Sequence, residues 1–313
     1  MTKLRIEFKI GLMKLVFFSN DKHSYNKFDG LNLYLILKIS CFILFYLCFF
    51  LLPIIGHANS GFVTSSENFQ PPYREGKSFQ DIKIKDPTRA RIIVYNHGQR
   101  RGSEVPDCNS RGNDVPDSIL RLESEHTKIF FLCSNSSEWT GAGQRGNYIY
   151  TRIEEIKTLL NIFDKNGVTR DRIVLTGHSA GGWSMLMSQS LLGSDTPKVI
   201  AFAPAFAGPK HEKNIYPEWY GVARPRQINQ LKNGAPIRAL IFAYFGDSFE
   251  EPDDLGFLKE RMDNNVIIHG YNCPENSNQH TNHRNDCQIN QTYEMMKNYL
   301  GPSWTDNPKI KKN

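Results

Sequence analysis

The chain has 313 residues, 40% of them hydrophobic, and a formal net charge of +6. That apolar share excludes a disordered or low-complexity chain, and the length allows one sizeable core. The charge is uneven: residues 1–38 hold seven Lys/Arg against Glu7, Asp21 and Asp29. Little net charge is left for the remainder, which argues against a nucleic-acid-binding face.

Ile39–Ile55 is an apolar run without charge, preceded by Lys38, and Gly56-His57-Ala58 offers small residues for cleavage after Ala58. Residues 1–58 are therefore expected to be a signal peptide or an uncleaved amino-terminal anchor with its basic end inside. The basic region is long for a signal peptide, so either translation starts later, for example at Met13, or the segment is an anchor. Either way the remaining domain lies outside the cytoplasm, periplasmic or secreted. Cys41 and Cys48 fall in the apolar run. Cys108, Cys133, Cys273 and Cys287 remain, and an even number in an exported domain suggests two disulfides. Cys108–Cys133 and Cys273–Cys287 are the expected pairs among the three pairings possible.

Residues 59–80 read as an irregular lead-in, and residues 81–313 as one catalytic-size domain. Asp81–Lys85 alternates and predicts an edge strand. Ala90–Tyr95 predicts a buried strand ending in Asn96-His97-Gly98, before a long loop to residue 117. Ser118–Glu125 is a short helix candidate and Lys128–Cys133 the next strand. Tyr148–Phe163 places Ile149, Ile153, Ile156, Leu159, Leu160 and Phe163 on one helical face. Arg172–Thr176 predicts a strand and Ser179–Leu192 the helix after it. Lys198–Phe202 is another strand. Ala203–Ala235 reads as long and irregular, either a lid or a passive surface insertion. Ile237–Phe245 and Asn265–His269 predict two more strands, and Gln288–Leu300 a final helix. Short apolar strands alternating with helices give the fold class: α/β, with a mainly parallel central sheet flanked by helices.

The motif of most consequence is Gly177-His178-Ser179-Ala180-Gly181, entered by a strand and left by a helix. The two glycines permit a sharp turn that lifts Ser179 out of the sheet. A serine hydroxyl is a weak nucleophile unless a base takes its proton and an acid orients that base. Asp247 follows a strand and is the expected acid, with Glu250 the alternative and Asp253 behind it. His280 is the expected base and His283 its alternative; His269 sits at a strand end, too early. The oxyanion would be held by the backbone N–H groups of Ala180 and Gln99, with Gly98 next in line. His178 reads as a packing residue of the turn. His280-x-x-His283 is a weak metal signal without a third ligand.

Asn96-His97-Gly98 at a strand end, Gly177–Gly181 at the turn, Gly246-Asp247 after a late strand and a final loop histidine resemble the α/β-hydrolase superfamily. The likeness covers roughly residues 80–300 and is greatest to its secreted esterase and dienelactone-hydrolase-like branch. Two features depart from the pattern: Gly246 and Asp247 are adjacent rather than spaced, and His280 follows Gln279 rather than a glycine. The resemblance implies acyl transfer through an acyl-serine, with no metal or organic cofactor.

Three functions fit these residues. The first is an exported serine hydrolase acting on a small-molecule, lipid or polymer ester. The second is a serine peptidase or acyltransferase using the same groups, and the third a non-catalytic binding protein on the same scaffold. No nucleic-acid partner is expected, and membrane contact only through the amino-terminal segment. Arg100, Arg101 and Arg111 would favour an acidic substrate or simply be solvated. Trp139, Trp219 and Tyr220 would line an acyl pocket or pack in the core. Asn135-Ser-Ser137 and Asn290-Gln-Thr292 fit the N-glycosylation pattern.

Overall fold

The computed structural model describes residues 61–64, 77–78, 82–99, 115–134, 146–193, 195–260, 265–274, 278–282 and 287–304. The expected export or anchor segment 1–58, Cys108, Arg100, Arg101, Arg111, Trp139, Asn135 and His283 lie outside these residues. Among the described residues no helix is long and apolar enough to cross a membrane.

Among the described residues eight strands form one sheet: β1 (Gly61–Thr64), β2 (Lys77–Ser78), β3 (Arg91–Asn96), β4 (Thr127–Cys133), β5 (Ile173–His178), β6 (Lys198–Phe202), β7 (Ala239–Tyr244) and β8 (Val266–Tyr271). Their spatial order is β2-β1-β4-β3-β5-β6-β7-β8, and every pair is parallel. Among the described residues the α-helices are α1 (Asp117–Leu120), α2 (Tyr148–Lys165), α3 (Ala180–Leu192), α4 (Arg224–Asn233) and α5 (Ile289–Leu300).

Strands β3 to β7 are buried on both faces, which is why they read as continuous apolar runs. Ile92, Val94, Phe130, Leu132 and Leu175 point to one face, where Ile149, Ile153, Ile156 and Phe163 of α2 and Trp183 and Leu186 of α3 cover them. The intervening Ile93, Tyr95, Ile129, Phe131 and Val174 point to the other, under Ile119 of α1, Met296 and Leu300 of α5, and Trp304. Alternation with period two thus feeds two cores from one strand. A parallel sheet of this order, with a strand–serine–helix turn at its centre, is the α/β-hydrolase fold.

Four expectations are corrected. Residues 82–85 are not a strand. Their alternation comes from packing: Ile82 is buried, Ile84 lies against the α2-side core, and the Ile84 N–H bonds the Asn166 side chain instead of a neighbouring strand. The lead-in 59–80 is not wholly irregular, since β1 and β2 extend the sheet there. The helix expected over Ser118–Glu125 is a single turn, Asp117–Leu120.

The fourth is the segment 203–235, which holds a helix, α4. Pro225 reads as a breaker but occupies the first turn, where the missing N–H costs nothing. Only Gln227 and Leu231 of α4 are buried, too few for a visible apolar period.

Candidate active site

β5 delivers Ser179, and α3 begins at the next residue. Ser179 has φ 51° and ψ −124°, a backbone conformation that costs a non-glycine residue on the order of 1–3 kcal/mol. Neighbouring strands and loops hold it there. The Ser179 N–H bonds the Phe202 carbonyl of β6 at 2.9 Å. Its carbonyl accepts from the Trp183 and Ala205 N–H groups. Ala203, also left-handed at φ 41°, turns the chain after β6 so that Ala205 reaches the serine.

The second element is the turn after β7, which carries Asp247. The third is the 3₁₀ turn Gln279–Thr281, which carries His280. Although 33 and 101 residues separate them from His280, Asp247 and Ser179 converge on it. His280 Nδ1 lies 2.8 Å from Asp247 Oδ2 and 3.1 Å from Oδ1. A carboxylate here accepts, so Nδ1 carries the proton and Nε2 presents its lone pair. Nε2 is 2.8 Å from Ser179 Oγ, whereas the Ala205 carbonyl is 3.5 Å from it. The shorter partner takes the hydroxyl proton. Ser179, His280 and Asp247 are all buried.

The Asp247 carboxylate also accepts the Phe249 N–H at 2.8 Å, an Asx turn that fixes the acid. The same turn lays Phe249 over the His280 ring, with centroids 3.9 Å apart.

Glu250, the alternative acid, is elsewhere. It is bound by Arg224 of α4 through two 2.7 Å hydrogen bonds, with its side chain 3% exposed. Burial pushes its carboxyl above the usual carboxylate range, against the pull of Arg224. Asp253 opens the 3₁₀ turn Asp253–Leu258, and its side chain is exposed. Lys210 joins Glu251 and Asp254 at 2.8 Å each, so residues 203–235 are pinned by charge to the loop that carries Asp247.

Arg224→Met is expected to cost about 3–5 kcal/mol at neutral pH, because it strands a buried carboxylate. A folded-state pKa raised above the unfolded one means that the folded form holds the proton more tightly. The loss therefore grows as pH rises through the folded value and shrinks as pH falls toward the unfolded one. Urea unfolding over a pH series checks this; a loss that does not change with pH would refute it.

The turn after β3 forms the fourth element. His97 Nδ1 donates to the Gly98 carbonyl at 2.6 Å while Nε2 accepts the Ser134 N–H at 3.1 Å. Arg152, buried on α2, donates to the Asn96 side chain at 2.9 Å and the His97 carbonyl at 2.6 Å, and reaches the Gly98 carbonyl at 3.5 Å. With the Gly98 carbonyl held this way, the planar trans peptide turns the Gln99 N–H in the opposite direction. A Cβ on Gly98 would lie 3.2 Å from Ser179 Cβ, so this turn passes directly beside the serine. Ala180 is the first residue of α3, where an N–H has no acceptor within its own helix.

Arg152 has a signal in the sequence. It sits on the apolar face, three after Ile149 and four before Ile156, where a charge is out of pattern. Phe249 and the contacts of His178 had none.

Cys273 and Cys287 are joined in a disulfide with a Cα separation of 5.9 Å. Cys133 is also disulfide-bonded. The Cys273–Cys287 bridge closes the loop around His280. Within it, the Gln279 side chain bonds the Cys273 and Pro274 carbonyls, and Asn278 caps the His280 N–H. The double variant Cys273→Ala/Cys287→Ala is expected to lose about 3 kcal/mol of stability. It should also lose activity before it unfolds, since the loop positions His280. Thermal melts beside initial rates check both; unchanged rates would remove the loop from the site.

His269 lies on β8 against Tyr271 and Phe242, with Gln291 at its Nε2, and burial lowers its pKa. Trp219 packs on Phe206 in the core, and Tyr220 donates to the Gly208 carbonyl. Asn290 opens α5 and accepts from Arg121, while Thr292 is buried against Tyr271, so this glycosylation pattern lies on a packed helix.

No family model matches the sequence, and no curated protein matches it. Solved structures do. Est1E from Butyrivibrio proteoclasticus is 14% identical over 70% of this chain and 92% of its own, with a TM-score of 0.47. A lipase-esterase related protein from Clostridium acetobutylicum is 12% identical over 70% of this chain and 98% of its own, with a TM-score of 0.44. A puromycin-hydrolyzing peptidase from Mycobacterium tuberculosis is 14% identical over 74% of this chain but 37% of its own, with a TM-score of 0.46.

Proposed function

We propose that this protein is an exported serine hydrolase that cleaves a carboxylic ester through an acyl-serine intermediate. The observation that carries the reading is the continuous chain from Ser179 Oγ through the His280 ring to the Asp247 carboxylate. In this reading Ser179 Oγ attacks the ester carbonyl as its proton passes to His280 Nε2. Asp247 holds the Nδ1–H and offsets the positive charge that forms on the ring. The Ala180 and Gln99 N–H groups stabilise the oxyanion. His280 then returns the proton to the leaving alkoxide as the C–O bond breaks. Water resolves the acyl-serine by the same route in reverse, its proton passing through His280 to Ser179.

Export is part of the proposal. Its support is the apolar segment within residues 1–58 and the disulfide-bonded cysteines, which suit an oxidising compartment. The substrate class is a small-molecule, lipid or polymer ester.

The test uses the full chain, a fluorophosphonate probe and p-nitrophenyl esters of increasing acyl length. Stoichiometric labelling mapped to Ser179, together with ester turnover, is the expected result. Labelling elsewhere, or none with no turnover, would overturn the reading. Labelling with turnover only of amides, or only with an added acyl acceptor, would move it to a peptidase or acyltransferase.

A further inference from the structure

We infer that His178 is a positioning residue for His280, an inference that rests on the hydrolase reading above. His178 follows Gly177 at the end of β5 and immediately precedes the proposed nucleophile. It is only 5% exposed. Its Nε2 lies 2.7 Å from the backbone carbonyl of His280. A carbonyl can only accept, so His178 carries its proton on Nε2. Its ring also packs against the His280 ring, with centroids 5.0 Å apart. Phe249 also contacts the His280 ring, at 3.9 Å.

This bond matters because of where His280 sits. Its loop is tied to itself by Asn278, Gln279 and the Cys273–Cys287 bridge. Those ties hold the loop to the end of β8, two residues before Cys273. The His178 bond adds an anchor at the end of β5, joining the base's own backbone to the residue beside the nucleophile. The turn after β3 meets the same side chain, since a Cβ on Gly98 would lie 3.1 Å from His178 Nδ1. One imidazole therefore sets the base relative to the nucleophile and abuts the loop of the proposed oxyanion donor. A base displaced by about 1 Å loses on the order of 10²-fold in rate.

The experiment compares His178→Gln with His178→Asn in the full chain. A glutamine amide nitrogen reaches about as far as Nε2, whereas an asparagine amide stops near the Nδ1 position. H178N is expected to lower kcat about 10²-fold with KM within about threefold of wild type, and H178Q to stay within about tenfold. Melting temperatures establish that both are folded. Nitrogen-15 imidazole spectra of the wild type should show His178 protonated at Nε2 and unprotonated at Nδ1, a readout that needs no variant to fold. A folded H178N with nearly wild-type kcat, equal losses in both variants, or a His178 protonated only at Nδ1 would each overturn the inference. Wild type that labels with fluorophosphonate at Ser179 keeps the hydrolase reading standing in those cases. Wild type that neither labels nor turns over overturns both.

Discussion

Ser179→Ala is expected to lower kcat roughly 10⁶-fold while leaving the fold intact, because it removes the atom proposed to bond the substrate. Alanine keeps the Cβ and tolerates φ 51° no worse than serine does. The Phe202, Trp183 and Ala205 hydrogen bonds that hold the turn are all to backbone and survive. His280 loses its 2.8 Å partner but keeps Asp247 and its loop contacts. The variant should therefore melt close to wild type. The residues of such a chain act as a unit, so Ser179→Ala/His280→Ala should be no slower than Ser179→Ala alone. Residual turnover well above the uncatalysed rate would place the nucleophile elsewhere, and a further loss in the double variant would show that His280 acts independently.

Gly181→Ala should prevent folding. A Cβ at this position would stand 2.1 Å from the Asn96 carbonyl oxygen, 2.6 Å from the Asn96 carbonyl carbon and 2.6 Å from the His97 oxygen. All three are backbone atoms, and no side-chain rotation relieves the clash. Asn96 cannot withdraw cheaply, because it pairs with Gly177 in the β3–β5 ladder and its side chain bonds the Leu132 carbonyl and Arg152. Moving it would also displace the turn beside Ser179. The expected loss exceeds about 4–5 kcal/mol, enough to leave most of the chain insoluble. Gly221→Ala is the control: nothing lies within 4 Å of its Cβ position, and its effect should be under about 0.5 kcal/mol. Soluble Gly181→Ala with a wild-type melting temperature would show that the turn can open.

The central strands and their helices were legible because each is a dense local pattern. Ile173–Thr176 reads as a strand, and Ile149 through Phe163 as a helix face, without reference to any other part of the chain. Residues 203–235 were not legible, because α4 is held by few buried side chains and by the Arg224–Glu250 pair, and the stretch before it by Lys210 with Glu251 and Asp254, all at a distance in sequence. Ile82 and Ile84 misled for a related reason: alternation reports which side chains are buried, not whether the backbone is paired.

At the site, Gly177–Gly181 announces itself, since a sharp strand-to-helix turn demands small residues at fixed spacing. The choice among Asp247, Glu250 and Asp253 could not be made that way, because all three are carboxylates on one loop. Tertiary structure separates them by what approaches from elsewhere: His280 from the last loop meets Asp247, and Arg224 from α4 takes Glu250. The same holds for His178, whose partner lies 102 residues away. Sequence by itself determined the central strands, the helices beside them and the residue at the centre of the turn, since those depend on near neighbours along the chain. Only the tertiary structure decided which acid, which carbonyls and which rings surround Ser179, because those contacts depend on the order and register in which parallel strands bring distant turns to one end of the sheet.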